Sequence, residues 1–212
     1  MTEDEAQEWI KGRCVSRETF ARLQAYVKIL LAESDQQNLI AQSTKESVWA
    51  RHIVDSAQLL NFSPPPPGRG GQWIDLGSGA GLPGIVIAIM SNWHVGLVES
   101  RTRRAGFLEA TVRALGLDNA WVAGGPVEKL EITSPADVIS ARAFAPLAKM
   151  FTIAHHLSDT KTLWVLPKGR SWQSDVDDAS EIWHGKFHVE QSVTDCDSAI
   201  VVARGVRRKS RQ

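Results

Sequence analysis

The sequence predicts an α/β protein built on a Rossmann-like, doubly wound sheet of seven strands, with a helical cap in front of it. Three observations carry this prediction. From Gln72 onward short β-type runs alternate with helical patterns, a glycine-rich turn joins the first of those strands to its helix, and the apolar residues before Gln72 recur only at helical spacing.

The cap comes first. Between Ser16 and Ser34, Phe20, Leu23, Val27, Leu30 and Leu31 recur three and four apart, the one-sided stripe of an amphipathic helix. A second helix is predicted from Ser43, where Ser43-x-x-Glu46 reads as a capping box and Trp49, Ile53, Ala57 and Leu60 share one face. Residues 63–71 contain four consecutive prolines and three glycines, which can neither continue a helix nor join a sheet ladder. That stretch reads as a stiff connector, with a polyproline ligand as its other use. Strands are then expected near 72–76, 94–98, 120–123, 136–140 and 162–167, and helices near 82–91, 102–115, 146–157 and 172–182. Two last β-type runs, 186–193 and 198–204, are joined by Thr194-Asp195-Cys196-Asp197 as a hairpin. The organisation is therefore a cap over 1–62, a connector over 63–71, a core over 72–206 and a basic tail over 207–212.

Composition narrows the field. With 43% hydrophobic residues in 212, the chain can bury a sizeable core, and overall disorder is excluded. Lys and Arg total 24 and Asp and Glu total 24, so no global field attracts nucleic acid, and any basic surface must be local. The longest strictly apolar run, Ile85 to Met90, is far below the roughly twenty residues that span a bilayer. The N-terminus, Met1-Thr2-Glu3-Asp4-Glu5, is acidic where a secretory signal is basic, so a cytoplasmic protein with no membrane partner is expected. Cys14 and Cys196 stand far apart without neighbouring Cys or His, which suggests neither a disulfide framework nor a metal site.

The most informative segment is Trp73-Ile74-Asp75-Leu76-Gly77-Ser78-Gly79-Ala80-Gly81-Leu82-Pro83-Gly84, a strand, a glycine turn and a helix opened by proline. In a doubly wound sheet this turn faces the ligand crevice. Gly79-x-Gly81-x-x-Gly84 is formally a dinucleotide fingerprint, whereas Asp75-Leu76-Gly77-x-Gly79-x-Gly81 is the form that binds S-adenosylmethionine. Glu99 ends the next strand, 18 residues after Gly81, where a carboxylate accepts ribose hydroxyls in either case. Asp75 favours S-adenosylmethionine, because a carboxylate suits a sulfonium and an ammonium better than a pyrophosphate. The cofactor-binding set therefore takes in Asp75, Gly77, Ser78, Gly79, Gly81 and Glu99.

Beyond this loop the sequence resembles the 16S ribosomal RNA guanine-N7 methyltransferases, the glucose-inhibited division protein B family. The resemblance rests on Asn38-Leu39-Ile40-Ala41, Arg51-His52-Ile53-Val54-Asp55-Ser56, the glycine loop, Val98-Glu99-Ser100 with Arg103, Arg104, Phe107 and Leu108, Ala141-Arg142-Ala143-Phe144-Ala145-Pro146-Leu147, and Lys168-Gly169. It implies a class I S-adenosylmethionine methyltransferase fold and methyl transfer to a guanine N7 of small-subunit ribosomal RNA. It further implies that Gly77 and Leu82 line the methionine and ribose side, Glu99 and Ser100 the ribose, Val127 and Glu128 the adenine, and Arg142 the mouth of the site. Pro126 stands where family members often carry arginine.

The residues agree with that chemistry. No cysteine is placed for a covalent pyrimidine adduct, and the loop after the fourth strand, Ser140 to Pro146, lacks the Asn/Asp-Pro-Pro-aromatic grip used on exocyclic amines. Guanine N7 has a free lone pair and no proton, so no general base is nominated, and Arg142 is read as a positioning residue. Phe144 reads as a core ring. From spacing alone His52 and Asp55 are a packed histidine and half of an Arg51–Asp55 surface pair, and the resemblance alone moves them to the substrate side. The carboxylates Asp175, Asp177 and Asp178 read as a solvated helix face. Candidate RNA contacts are Arg101, Arg103 and Arg104, the Lys168-Gly169-Arg170 loop, and Arg207 and Arg208. The expected partner is 16S ribosomal RNA within the 30S subunit, and the expected state is a monomer. Two other functions fit parts of the pattern, a nicotinamide-dependent oxidoreductase and a non-catalytic RNA-binding assembly factor.

Overall fold

The computed structural model of the chain describes residues 1–68 and 70–210. Seven strands form one sheet: β1 (Gln72–Leu76), β2 (His94–Glu99), β3 (Ala120–Gly124), β4 (Val138–Ala141), β5 (Leu163–Lys168), β6 (Trp183–Gln191) and β7 (Ala199–Arg208), in the order β3-β2-β1-β4-β5-β7-β6. β1 to β5 run parallel, and β7 inserts antiparallel between β5 and β6. Helices α4 (Gly84–Met90), α5 (Thr102–Ala114), α6 (Leu147–Ala154) and α7 (Trp172–Ile182) follow β1, β2, β4 and β5. The order reverses between β1 and β4, and that switch point opens a crevice at the strands' carboxyl ends.

Both faces of the central strands β1, β2, β4 and β5 are covered, so these strands are largely apolar and successive residues feed different layers. Trp73, Leu163 and Val165 join the layer that holds the cap, α4 and α5, whereas Ile74, Trp164 and Leu166 join the layer that holds α6 and α7.

The cap differs from expectation in two ways. An additional helix, α1 (Glu3–Lys11), precedes α2 (Arg17–Gln37), and it is α1 that carries a capping box, Thr2 with Glu5. The segment from Ser43 is not one regular helix. It passes through a 3-10 stretch (Gln42–Ser47), a π-helical stretch (Trp49–Val54), a short α-turn α3 (Asp55–Ala57) and a second 3-10 stretch (Gln58–Asn61). Ser43 lies inside the first of these, whose cap position is Ala41 and makes no side-chain bond. The amides freed where one helical form gives way to the next are those of Trp49 and Ala50, and both donate to the Glu3 carboxylate, at 3.0 and 2.9 Å. The acidic N-terminus is thus part of the cap's construction.

β7 continues through Arg208, so Arg207 and Arg208 belong to the sheet rather than to a tail; residues 211 and 212 of the expected tail lie outside the described residues. Among the described residues no helix is long and apolar enough to cross a membrane.

The cap meets the core at the glycine loop. Tyr26 of α2 is fully buried, burial holds its phenol far above its ordinary pKa, and its hydroxyl donates to the Ala80 carbonyl at 2.8 Å. Removing that donor leaves a buried carbonyl without a partner. Tyr26→Phe is therefore expected to lose about 1–2 kcal/mol in urea unfolding with an unchanged m-value, and no loss would mean that the bond is incidental.

Candidate active site

The glycine loop is held from beneath. Ser140 of β4 donates from Oγ to Asp75 Oδ1 at 2.7 Å, the Gly84 amide donates to Asp75 Oδ2 at 3.2 Å, and Trp73 Nε1 donates to Ser140 Oγ at 2.8 Å. Asp75 is fully buried, and burial raises its carboxyl from 3.8 to about 6 despite these donors. Its carboxylate therefore shapes the loop from inside and does not face a ligand, which corrects its placement among groups that touch the cofactor. Gly84, the third glycine of the formal dinucleotide pattern, has a packing reason: a Cβ there would clash with Leu97 and stand 2.9 Å from Asp75, so glycine is required for α4 to pack on the sheet.

Glu99 holds the loop from the side. Its Oε2 accepts from the Gly79 amide at 2.9 Å and its Oε1 from the Arg101 amide at 2.8 Å. Both oxygens of this buried carboxylate are thus engaged by backbone amides, so Glu99 fixes the turn between the glycine loop and Ser100. Beside it lies a cavity of about 330 Å³ lined by Gly77, Ser100, Val127, Glu128 and Phe144, with Pro126 in its wall. Gly77, at φ 65°, forms its floor, and a Cβ at that position would lie 2.5 Å from the Phe144 ring. Four residues that sequence reasoning assigned to the cofactor thus surround one cavity. Ser78 and Leu82 turn away from it: Ser78 Oγ donates to the Asp75 carbonyl and Leu82 packs in the core. Phe144 is partly buried: it packs against the core layer of Ile74 and Leu76, as a core ring would, and also lines the cavity.

These residues fit S-adenosylmethionine. A glycine floor without a Cβ admits close approach, an acidic residue ends β2, and the cavity lies at the switch point.

Arg142 joins the crevice to the cap. Its Nη1 donates to His52 Nδ1 at 3.1 Å, to Asp55 Oδ2 at 3.4 Å and to the Arg51 carbonyl at 3.5 Å. Thr44 Oγ1 donates to the Ala41 carbonyl, so it accepts from His52 Nε2 at 2.8 Å, which fixes the neutral imidazole with its proton on Nε2. Burial, then the charges of Arg142 and Arg51, lower the His52 pKa to about 3. Asp55 Oδ1 in turn accepts from Gln58 and Thr194, both at 3.0 Å. The Arg51–Asp55 pair expected from spacing is absent, because Asp55 faces Arg142 and Arg51 reaches Asp195 at 3.0 Å. The π-helical stretch rotates His52 and Asp55 toward one partner.

A second, larger cleft of about 540 Å³ adjoins the first, and the two share Phe144 and Ala145. Asp55, Arg142, Lys168, Asp175 and Asp178 are in its wall. Lys168 does not reach into solvent as an RNA contact: it pairs with Asp175 at 2.7 Å and donates to the Ala145 carbonyl at 2.9 Å. Asp175 also accepts from the Leu147 amide at 2.7 Å, so it anchors the loop before α6 and is not a solvated face. Arg170 pairs with Asp197 at the surface, while Arg101, Arg103 and Arg104 follow β2, with Arg103 reaching the Gln36 carbonyl at 3.2 Å. Among the described residues one group of metal-capable side chains occurs, Asp195, Cys196 and Asp197, and its carboxylates already meet Arg51 and Arg170.

Sheet order, glycine loop and adjoining clefts together define a class I methyltransferase architecture. Solved structures show the same fold: a mutant of MtNAS in complex with S-adenosylmethionine (TM-score 0.59, 19% identity, 89% of this chain and 77% of that one) and an S-adenosylmethionine-dependent methyltransferase from Aquifex aeolicus (TM-score 0.56, 15% identity, 74% and 92%). Residues 19–204 match the family model described as rRNA small subunit methyltransferase G, and the chain belongs to that family. Proteins named ribosomal RNA small subunit methyltransferase G from Rhizorhabdus wittichii and Zymomonas mobilis are 51% and 43% identical to it, over all of this chain and 96% and 98% of theirs. The chain is thus an S-adenosylmethionine-dependent methyltransferase, and the oxidoreductase reading of its glycines falls away.

The latch at His52 makes a pH prediction. Its folded pKa lies below the ordinary 6.5, so the unfolded chain binds the proton first, and the stability His52 contributes is complete above pH 6.5 and lost as pH falls toward 3. Between pH 7 and 5 the wild type should lose about 2 kcal/mol more than His52→Gln in denaturant unfolding. Parallel losses in both proteins would show that His52 is not buried neutral.

Proposed function

We propose that this chain transfers the methyl group of S-adenosylmethionine to N7 of a guanine in 16S ribosomal RNA, acting as a cytoplasmic monomer on the 30S subunit. The observation that carries this reading is the pair of clefts with a common wall: the cavity over Gly77 opens at Phe144 and Ala145 into the larger cleft beside Arg142. One holds the donor and the other admits a base.

When bound, S-adenosylmethionine supplies a methyl group on a sulfonium. The chain's own task is alignment, because displacement at that carbon needs nucleophile, carbon and sulfur in line. Guanine N7 attacks with its in-plane lone pair and releases no proton, so the transfer needs no general base. Both nitrogens of His52 are engaged, and Asp55 and Asp175 are engaged as well. Arg142, fixed by the cap, presents its remaining donors to the base or an adjoining phosphate, and Phe144 offers a ring for stacking. Arg101, Arg103, Arg104 and Arg170 extend the basic surface around the clefts. A guanine N7 is shielded in the deep groove of duplex RNA, so the target lies in a loop or a distorted helix.

Incubation with methyl-labelled S-adenosylmethionine and unmethylated 30S subunits, followed by digestion to nucleosides, should place the label in 7-methylguanosine. Label in another nucleoside would overturn the N7 assignment. Arg142→Ala should lower kcat/KM for the RNA roughly a hundredfold while leaving the affinity for S-adenosylhomocysteine within about twofold. Gly77→Ala should do the reverse, abolishing S-adenosylhomocysteine binding because the new Cβ meets the Phe144 ring and the backbone is left-handed there. Calorimetric titration of the folded variants separates the two.

A further inference from the structure

A basic cleft of about 500 Å³ lies on the β6–β7 ribbon, lined by His184, Lys186, Arg204, Arg207 and the loop residue Thr160. It is remote from the crevice. The crevice opens at the carboxyl end of β5, where Lys168 pairs with Ala199, whereas Arg204 pairs with Leu163 at the other end of that strand. Five residues of extended chain separate the two levels, roughly 17 Å.

The sheet is built to make this cleft. In a regular strand Arg204 and Arg207, three apart, would project from opposite faces. Between His184 and Lys186 the register shifts, so that Gly185 alone faces Gly205 and Val206. Gly205 takes φ 62°, the left-handed conformation of a bulge that begins with glycine. The inserted residue restores both arginines to one face, and Val206 goes to the core. The pairings this produces are unfavourable in themselves: His184 stands opposite Arg207 and Lys186 opposite Arg204. Basic side chains directly opposite one another destabilise an antiparallel ladder, and among the described residues none of the four makes an ion pair.

We infer that this cleft binds the phosphodiester backbone of the RNA substrate, as a second contact outside the segment that carries the target guanine. The inference rests on the proposed RNA methylation. Four basic groups converge on one concavity without a counter-charge, and a polyanion supplies what the ladder lacks. Arg207, a candidate RNA contact from the sequence, falls in this cleft. An RNA engaged at both sites must extend past its target loop by at least the distance between them.

The test is the salt dependence of 16S RNA binding, measured by filter retention for the wild type, an Arg204→Gln/Arg207→Gln double variant and an Arg204→Lys/Arg207→Lys double variant. Binding is scored separately from methyl transfer, so failure of the methylation reading shows in the label assay and failure of the cleft shows here. Loss of two phosphate contacts should lower the magnitude of the slope of log K against log salt by about 1.5 in the glutamine variant. KM for the 30S subunit should rise several-fold, with S-adenosylhomocysteine affinity unchanged and thermal stability held or raised, and the lysine variant should keep most of the slope. A glutamine variant with the wild-type slope and KM would overturn the inference and leave the charges as guards of an edge strand against sheet-to-sheet association.

Discussion

The hydrogen bond from Ser140 to Asp75 crosses the sheet at the point where its strand order reverses, and the crevice depends on it. The two residues pair directly in register, Asp75 on β1 and Ser140 on β4. The other oxygen of the same carboxylate holds the first amide of α4, so one buried side chain ties two strands and a helix beneath the glycine loop. A carboxylate out of reach of water is costly, and the rise of its pKa to about 6 records that cost. The donors of Ser140 and Gly84 offset it. With the floor fixed in this way, Glu99 can reach the Gly79 amide from the side and Tyr26 can reach Ala80 from above.

The cap is therefore one wall of the site. Its π-helical stretch carries His52, the α-turn that follows carries Asp55, and both meet Arg142 at the end of β4. Local departures from α-helical geometry are frequent at functional sites, because they redirect side chains that a regular helix would space otherwise. The neutral state of His52 follows from the same packing: a proton there would face Arg142 and Arg51 in a dry setting. Arg142 is held at three acceptors before any RNA arrives, so less of its rotamer freedom remains to be lost on binding.

The core was legible in the sequence because its signals are local. Alternation of strand and helix, the glycine turn and the carboxylate 18 residues beyond it specify the sheet and its crevice without reference to distant contacts. Gly77, Ser100 and the pair Val127 and Glu128 come from three separate segments and still line one cavity, because each segment follows the end of a neighbouring strand. What sequence reasoning missed depends on partners far along the chain. Ser43-x-x-Glu46 has the letters of a capping box, yet Glu3 supplies the acceptors for that region from 46 and 47 residues away. Arg51 and Asp55 have the spacing of a surface pair, yet each finds a partner from the core. Lys168 reads as a phosphate contact until Asp175 is seen beside it, and the tyrosine on α2 carried no local mark of its bond to the loop. The β6–β7 bulge was hidden for a related reason, since only the register shows that Arg204 and Arg207 share a face.

The cavity over Gly77, beside the glycine loop that Asp75 and Glu99 hold in place, is the proposed seat of the methyl donor. Amide hydrogen exchange of the full chain with and without S-adenosylhomocysteine tests it most directly. Added protection is expected at Gly77 to Gly81, at Ser100 and Arg101, and at Val127 and Glu128, with the β6–β7 ribbon unchanged. Protection confined to the larger cleft around Lys168 and Asp178, with the glycine loop unaffected under saturating ligand, would contradict it.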